Sequence, residues 1–256
     1  MELTSISKIL NLPLTPAELK ALYFYGIPIQ EKNGTEMSNQ TIETYIKSAQ
    51  KQVEGYLSLK VNKQIIEERL TFYRHDFMNY NYLQTSYPAR KAFKMEGWVA
   101  NVKQVSYPEE WLTTRTTNDG ETYHRRVHLI PVGSTEGQTI TFNGLMPYVG
   151  FRGTNFIPDY WKVAYCTGFD HVPEDILIAI GKYASILIFH QLGDIILDAG
   201  IASMSLGVDG LSQSISTTSS ATNAGYGARI INYHNDLKTE MIRLKEKYCG
   251  FVFTAL

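Results

Sequence analysis

Along this 256-residue chain the spacing of apolar residues changes character twice, and that change limits the fold more than any other feature. Between residues 38 and 59, Ile42, Tyr45, Ile46, Ala49, Val53, Tyr56 and Leu57 recur at steps of three and four, which places them on one face of a helix. From 61 to about 167 that period is gone, and short β-rich runs alternate with turn formers. After 168 the helical period returns. Neither helical end can bury its apolar face alone, so the two ends are expected to pack together around an inserted middle. The predicted class is α+β: a helical bundle core interrupted by an antiparallel β-sandwich or barrel-like insertion, with a long C-terminal helix and an apolar tail. The expected segments are 1–60, 61–167 and 168–256.

The helix boundaries carry local signals. Thr15-Pro16-Ala17-Glu18 is a capping box with proline at the first helical position, and Gly26 and Pro28 close a short helix over about 16–25. Ser38 is an N-cap for the second helix. Pro173, Glu174 and Asp175 suit the start of a third through fixed φ and negative charge. Its apolar residues, from Ile176 to Leu192, cover most of the circumference, as in a buried central helix. A last helix over about 228–248 carries the stripe Ile230, Tyr233, Leu237, Met241, Leu244 and Tyr248, and Gly250 ends it.

Within the insertion, strands are expected over 65–73, 98–107, 123–130, 138–142 and 160–167. Asp119-Gly120 is a hairpin-turn signal, and 144–158 reads as a loop. The segment 200–227 is rich in Gly and Ser. It reads as a linker or as a loop ordered against a neighbour, and its interspersed Met204, Leu206 and Leu211 favour the second. The tail Phe251, Val252, Phe253, Thr254, Ala255, Leu256 either returns to the core or docks on a partner.

Composition excludes several classes. Apolar residues at 44% are too many for a disordered chain, and a net charge of −1 argues against a strongly basic nucleic-acid binder. Met1–Lys8 does not read as a signal peptide, and the apolar run 176–189 is shorter than the roughly 20 residues a bilayer span needs. A soluble protein of a reducing cytoplasm is expected. The 17 tyrosines suit half-buried surfaces and subunit contacts, with Tyr45 and Tyr56 expected in the core.

No residue pattern nominates a catalytic, cofactor or metal site. His124 and His128 lie four apart on one strand face, but Arg125 and Arg126 between them disfavour a cation, and a third ligand would have to come from Asp76 or Cys166. Gly225-Tyr226-Gly227 lacks a third glycine and a preceding strand. Arg115, Arg125 and Arg126 form at most a modest basic patch. Trp98, Trp111 and Trp161, in a strand-rich region, leave open an alternative: a carbohydrate- or peptide-binding β domain on a helical platform.

The segment Tyr165-Cys166-Thr167-Gly168-Phe169, followed by Val172-Pro173-Glu174-Asp175-Ile176 and Ala179-Ile180, resembles the head–tail connector, or adaptor, proteins of tailed bacteriophages. Tyr87-Pro88 with Val99, Val102 and Val105 resembles that family's lead into a β insertion, and Tyr226-Gly227-Ala228-Arg229-Ile230 its larger members. The resemblance implies a non-enzymatic virion subunit without cofactors, made in the host cytoplasm. Such adaptors form a ring, a dodecamer, beneath the portal protein, extend the DNA channel and carry the next neck or tail completion protein. Double-stranded DNA passes without sequence-specific binding, and no membrane is involved. The residues expected at portal or subunit contacts are Met204, Leu206, Leu211, Tyr226, Arg229, Tyr233, Tyr248, Phe251, Val252, Phe253 and Leu256.

Overall fold

The computed structural model describes residues 12–30, 34–73, 82–116, 123–130, 155–197, 203–208, 211–216 and 226–249. The chain divides into two compact units, Met1–Leu57 with His171–Leu256, and Ser58–Asp170.

The first unit holds four described helices: α1 (Pro16–Tyr23), α2 (Asn39–Leu57), α3 (Glu174–Leu197) and α4 (Gly227–Cys249). The capping box forms as its sequence predicts. Glu18 N–H donates to Thr15 Oγ1 at 3.2 Å and Thr15 N–H to Glu18 Oε2 at 2.8 Å, so two backbone donors are satisfied reciprocally. Ser38 Oγ accepts from Thr41 N–H at 3.1 Å and caps α2. Helix α3 packs against α1, α2 and α4. Its buried residues, among them Ile176, Ile180, Ala184, Ile188 and Phe189, lie all round its axis. The Glu174–Gly193 stretch is long and apolar enough to cross a membrane, so the length criterion does not exclude a span here. Burial of 61% of its window inside the unit accounts for that apolarity as a core helix.

Close approach fixes two contacts of α3. At Gly181 a Cβ would fall inside 3.0 Å of the Tyr23 ring, so glycine lets α1 seat there. Tyr23 also donates to Ile178 O at 3.3 Å. On α4's side, Lys182 pairs with Glu240 at 2.6 Å and Asp236 at 3.4 Å. Two expectations fail in this unit. Tyr56 sits at the margin of the α2 stripe and is 44% exposed rather than core, with Lys245 Nζ 5.4 Å from its ring centre. The 200–227 segment contains two antiparallel strands, β8 (Ser203–Val208) and β9 (Leu211–Ser216), rather than a loop.

The second unit is built from seven described strands: β1 (Gln64–Tyr73), β2 (Tyr82–Gln84), β3 (Lys91–Val99), β4 (Val102–Tyr107), β5 (Leu112–Thr116), β6 (Tyr123–Leu129) and β7 (Phe156–Thr167). They form an antiparallel sheet ordered β1-β7-β3-β4 and another ordered β2-β6-β5. One core draws on both: Phe72, Met95, Tyr107, Tyr160, Trp161 and Val163 from the first, Leu83, Val127 and Leu129 from the second. Among the described residues neither sheet closes into a barrel: β1 and β4 are the edges of one, β2 and β5 of the other. Strand β7 begins at Phe156, inside the stretch expected as a loop, while the expected strand 138–142 and the turn Asp119-Gly120 lie outside the described residues.

Candidate functional site

Two places collect the residues that the sequence singles out. The first is the closure of the β unit. Its opening and closing strands pair directly, Gln64 opposite Thr167, and Asn62 bridges Phe169. Phe169 N–H donates to Val61 O at 3.1 Å. Gly168 takes φ +89, and a Cβ there would fall inside 3.0 Å of the Asn62 carbonyl, so this turn requires glycine twice over.

The Tyr87-Pro88 segment arrives at the same closure from 78 residues away. Tyr87 N–H donates to Tyr165 Oη at 3.2 Å, and Arg90 N–H to Cys166 O at 2.9 Å. The Arg90 guanidinium donates to Gly168 O at 3.2 Å and pairs with Asp170, which also accepts from Lys63 at 2.7 Å. These hydrogen bonds from Lys63 and Arg90 hold the Asp170 carboxyl below its ordinary pKa. Burial, and then the Glu68 carboxylate, push the Tyr165 hydroxyl above its ordinary value, so it stays protonated.

In the helical unit, Asp175 plays the corresponding part. Its Oδ1 accepts from Ile176 N–H at 2.8 Å at the start of α3. It also accepts from Tyr248 Oη at 2.9 Å and Lys247 Nζ at 3.0 Å near the end of α4. The carboxylate is thus shared between a helix N-terminus and a cation.

The second place is an open groove of about 620 Å³ among α2, α3 and α4. Its walls include Val53, Tyr56, Ile186, Leu237, Met241 and Ile242, and its basic lining residues are His190, His234 and Lys238, with no carboxylate. Ile242 is 49% exposed, which is costly for a large apolar group unless something covers it.

The expected contact residues divide among several settings. Tyr248 is buried, with its hydroxyl engaged by Asp175. Tyr226 and Tyr233 are half-buried against Phe189, at ring separations of 5.0 and 6.2 Å. Arg229 is exposed and lies over the Phe189 and Tyr233 rings. These tyrosines therefore serve internal packing of the helical unit. The side chains of Met204, Leu206 and Leu211, and all of Phe251, Val252, Phe253 and Leu256, lie outside the described residues.

The groove has no local signature in the sequence, because it exists only once α2, α3 and α4 are placed against one another.

The candidate chemistry does not assemble. His124 is exposed and His128 half-buried on the outer face of β6. Burial, then Arg115, Arg126 and His124, lower the His128 pKa, and the charges of the two arginines oppose a metal cation there. Cys166 is buried in β7, Asp76 lies outside the described residues, and no group of three potential metal ligands occurs among those described. Of the three tryptophans, Trp161 is fully buried. Trp98 is half-buried, donating to Glu96 at 2.9 Å with Arg69 and Lys162 beside its ring. A stacking platform of three exposed rings is therefore not present.

No protein family and no curated protein matches the chain. Among solved structures, a chain from the "neck of native GTA particle computed with C12 symmetry" is similar over 57% of this chain and 68% of its own. The identity is 14% and the TM-score 0.37. A chain from the "neck of empty GTA particle computed with C6 symmetry" is similar over 67% of this chain and 80% of its own, with 14% identity and a TM-score of 0.38.

Proposed function

We propose that this protein is a structural, non-enzymatic subunit of a virion neck. It is a head–tail adaptor that forms a ring, twelve-fold by family resemblance, beneath the portal protein. The ring extends the DNA channel and offers a platform to the next neck or tail component. One observation carries the reading beyond motif order. Two of the stretches that carry the resemblance, Tyr87-Pro88 and Tyr165 to Phe169, meet in space and together close the β unit. The motif therefore has a structural task, to hold an insertion shut where the chain leaves and rejoins the helices.

The apolar tail Phe251, Val252, Phe253 and Leu256 is assigned to the portal contact, since such groups seek burial. The test is co-sedimentation with purified portal rings of the full chain and of a variant lacking 251–256. The full chain is expected to sediment with the portal. The truncated chain is expected to stay in the supernatant with an unchanged circular dichroism spectrum. Equal binding by both refutes the tail assignment, and binding by neither refutes the adaptor reading.

A further inference from the structure

The register of the β8–β9 hairpin sorts its residues into two unlike faces. Met204 pairs with Ile215, Leu206 with Gln213, and Val208 with Leu211. Between them, Ser203 pairs with Ser216, Ser205 with Ser214, and Gly207 with Ser212. Residues two apart share a face of a strand. One face therefore holds five apolar positions and one glutamine, and the other only serine and glycine. A two-stranded hairpin is at best marginally stable in water by itself, so a face of this composition needs a partner surface.

The groove among α2, α3 and α4 has the matching properties. Its walls are apolar, and its only formal charge is a cation, Lys238, beside two histidines. The hairpin sequence 203–216 has one charged residue, Asp209, and no cation. The hairpin and the groove are two different patches on one chain, complementary in polarity and in sign of charge. Repetition of such a heterologous contact builds a closed ring when the rotation between neighbours closes.

We propose that the apolar face of the β8–β9 hairpin of one copy docks in the α2–α3–α4 groove of the next, and that this is the repeated contact of the ring. The inference rests on the neck-subunit reading and specifies the self-contact that it requires.

The test places a photo-crosslinking benzoylphenylalanine at position 206 in the full chain, with a second variant at position 204 in case the first fails to fold. A third variant at position 205, on the serine face, is the control. Rings are assembled from equal amounts of ¹⁵N-labelled and unlabelled protein, with portal if needed, and verified by negative-stain microscopy. After irradiation the linked peptides are mapped by mass.

The expected result is mixed-isotope peptides joining 206 or 204 to the segments 52–56 or 234–242, with at least a tenfold lower yield from 205. Links confined to one isotope mean that the hairpin covers its own groove, and overturn the proposal. Links to portal peptides, or rings with no groove links, also overturn it while leaving the ring reading standing. Failure to form rings under any condition, with or without portal, removes the ring reading and this contact together.

Discussion

Replacing Gly168 by alanine tests the closure of the β unit with a single methyl group. At φ +89 an L-residue is strained, at about 1–3 kcal/mol. The added Cβ would also lie inside 3.0 Å of the Asn62 carbonyl carbon and oxygen, which are backbone atoms and cannot rotate away. To make room, the Asn62–Phe169 bridge has to open. That loses the Phe169 N–H to Val61 O bond, worth about 1 kcal/mol. The sum is about 3 kcal/mol, or roughly 6–12 °C in Tm for a chain of this size.

The three tryptophans all lie within Ser58–Asp170, so a thermal scan followed by tryptophan fluorescence reports this unit. Gly26→Ala is the comparison. Gly26 has φ +74 but nothing within 4 Å of a Cβ, so it carries strain without collision. Its expected cost is about 1 kcal/mol, read from the helical circular dichroism signal. If Gly168→Ala shifts the fluorescence transition by no more than Gly26→Ala shifts the helical one, the collision argument is wrong.

Three further outcomes follow from the same contacts. Gly181→Ala should destabilise the helical unit by about 1–3 kcal/mol despite alanine's better helix propensity, because the Tyr23 ring fills the space. A Tyr23→Ala, Gly181→Ala double variant should lose less than the sum of the singles, and strict additivity in urea melts would refute this contact. Asp175→Asn keeps an acceptor for Tyr248 but loses the charge facing Lys247, so it should cost only about 1 kcal/mol in urea unfolding. A loss above about 3 kcal/mol would mean that the carboxylate is a buried ion.

Burial tends to raise the Glu96 carboxyl. The hydrogen bonds from Trp98 and Lys94 and the charges of Lys94 and Lys103 outweigh it, so its net pKa is below the ordinary 4.5. Its stabilising contribution is therefore complete above pH 4.5 and lost as pH falls through the lowered value. In Glu96→Gln that acid dependence should flatten, and an unchanged acid titration of stability would contradict the assignment.

The parts of the fold written in local chemistry were legible. Thr15 with Glu18 acts within one helical turn, so their spacing predicted the capping box, and Ser38 was legible as a residue type that favours the N-cap. The helical stripes were legible for their centres, such as Ile46 and Val53. They misled at the margin, where Tyr56 has the right spacing but faces outward. Strand β3 escaped because Glu96 and Gly97 interrupt its alternation. Both are buried there, Glu96 through its bonds to Trp98 and Lys94, and Gly97 because a Cβ would collide with the Tyr160 ring.

The β8–β9 hairpin was hidden by its composition, although it carried a readable signal: Asp209-Gly210 between runs of alternating apolar residues, the sequence that two-residue connections favour. The meeting of Tyr87 with Tyr165 had no local signal at all, because it depends on pairing between distant strands. Likewise, the groove requires the relative placement of three helices, which no single stripe encodes.

Whether this chain is the ring-forming neck subunit proposed above can be read from a cryo-electron microscopy map of the intact virion neck. The expected map holds a ring of copies of this chain directly beneath the portal, each with its β8–β9 hairpin seated against the α2–α3–α4 groove of its neighbour. A neck whose density contains no copy of this chain, or holds it only as a monomer away from the portal, would contradict it.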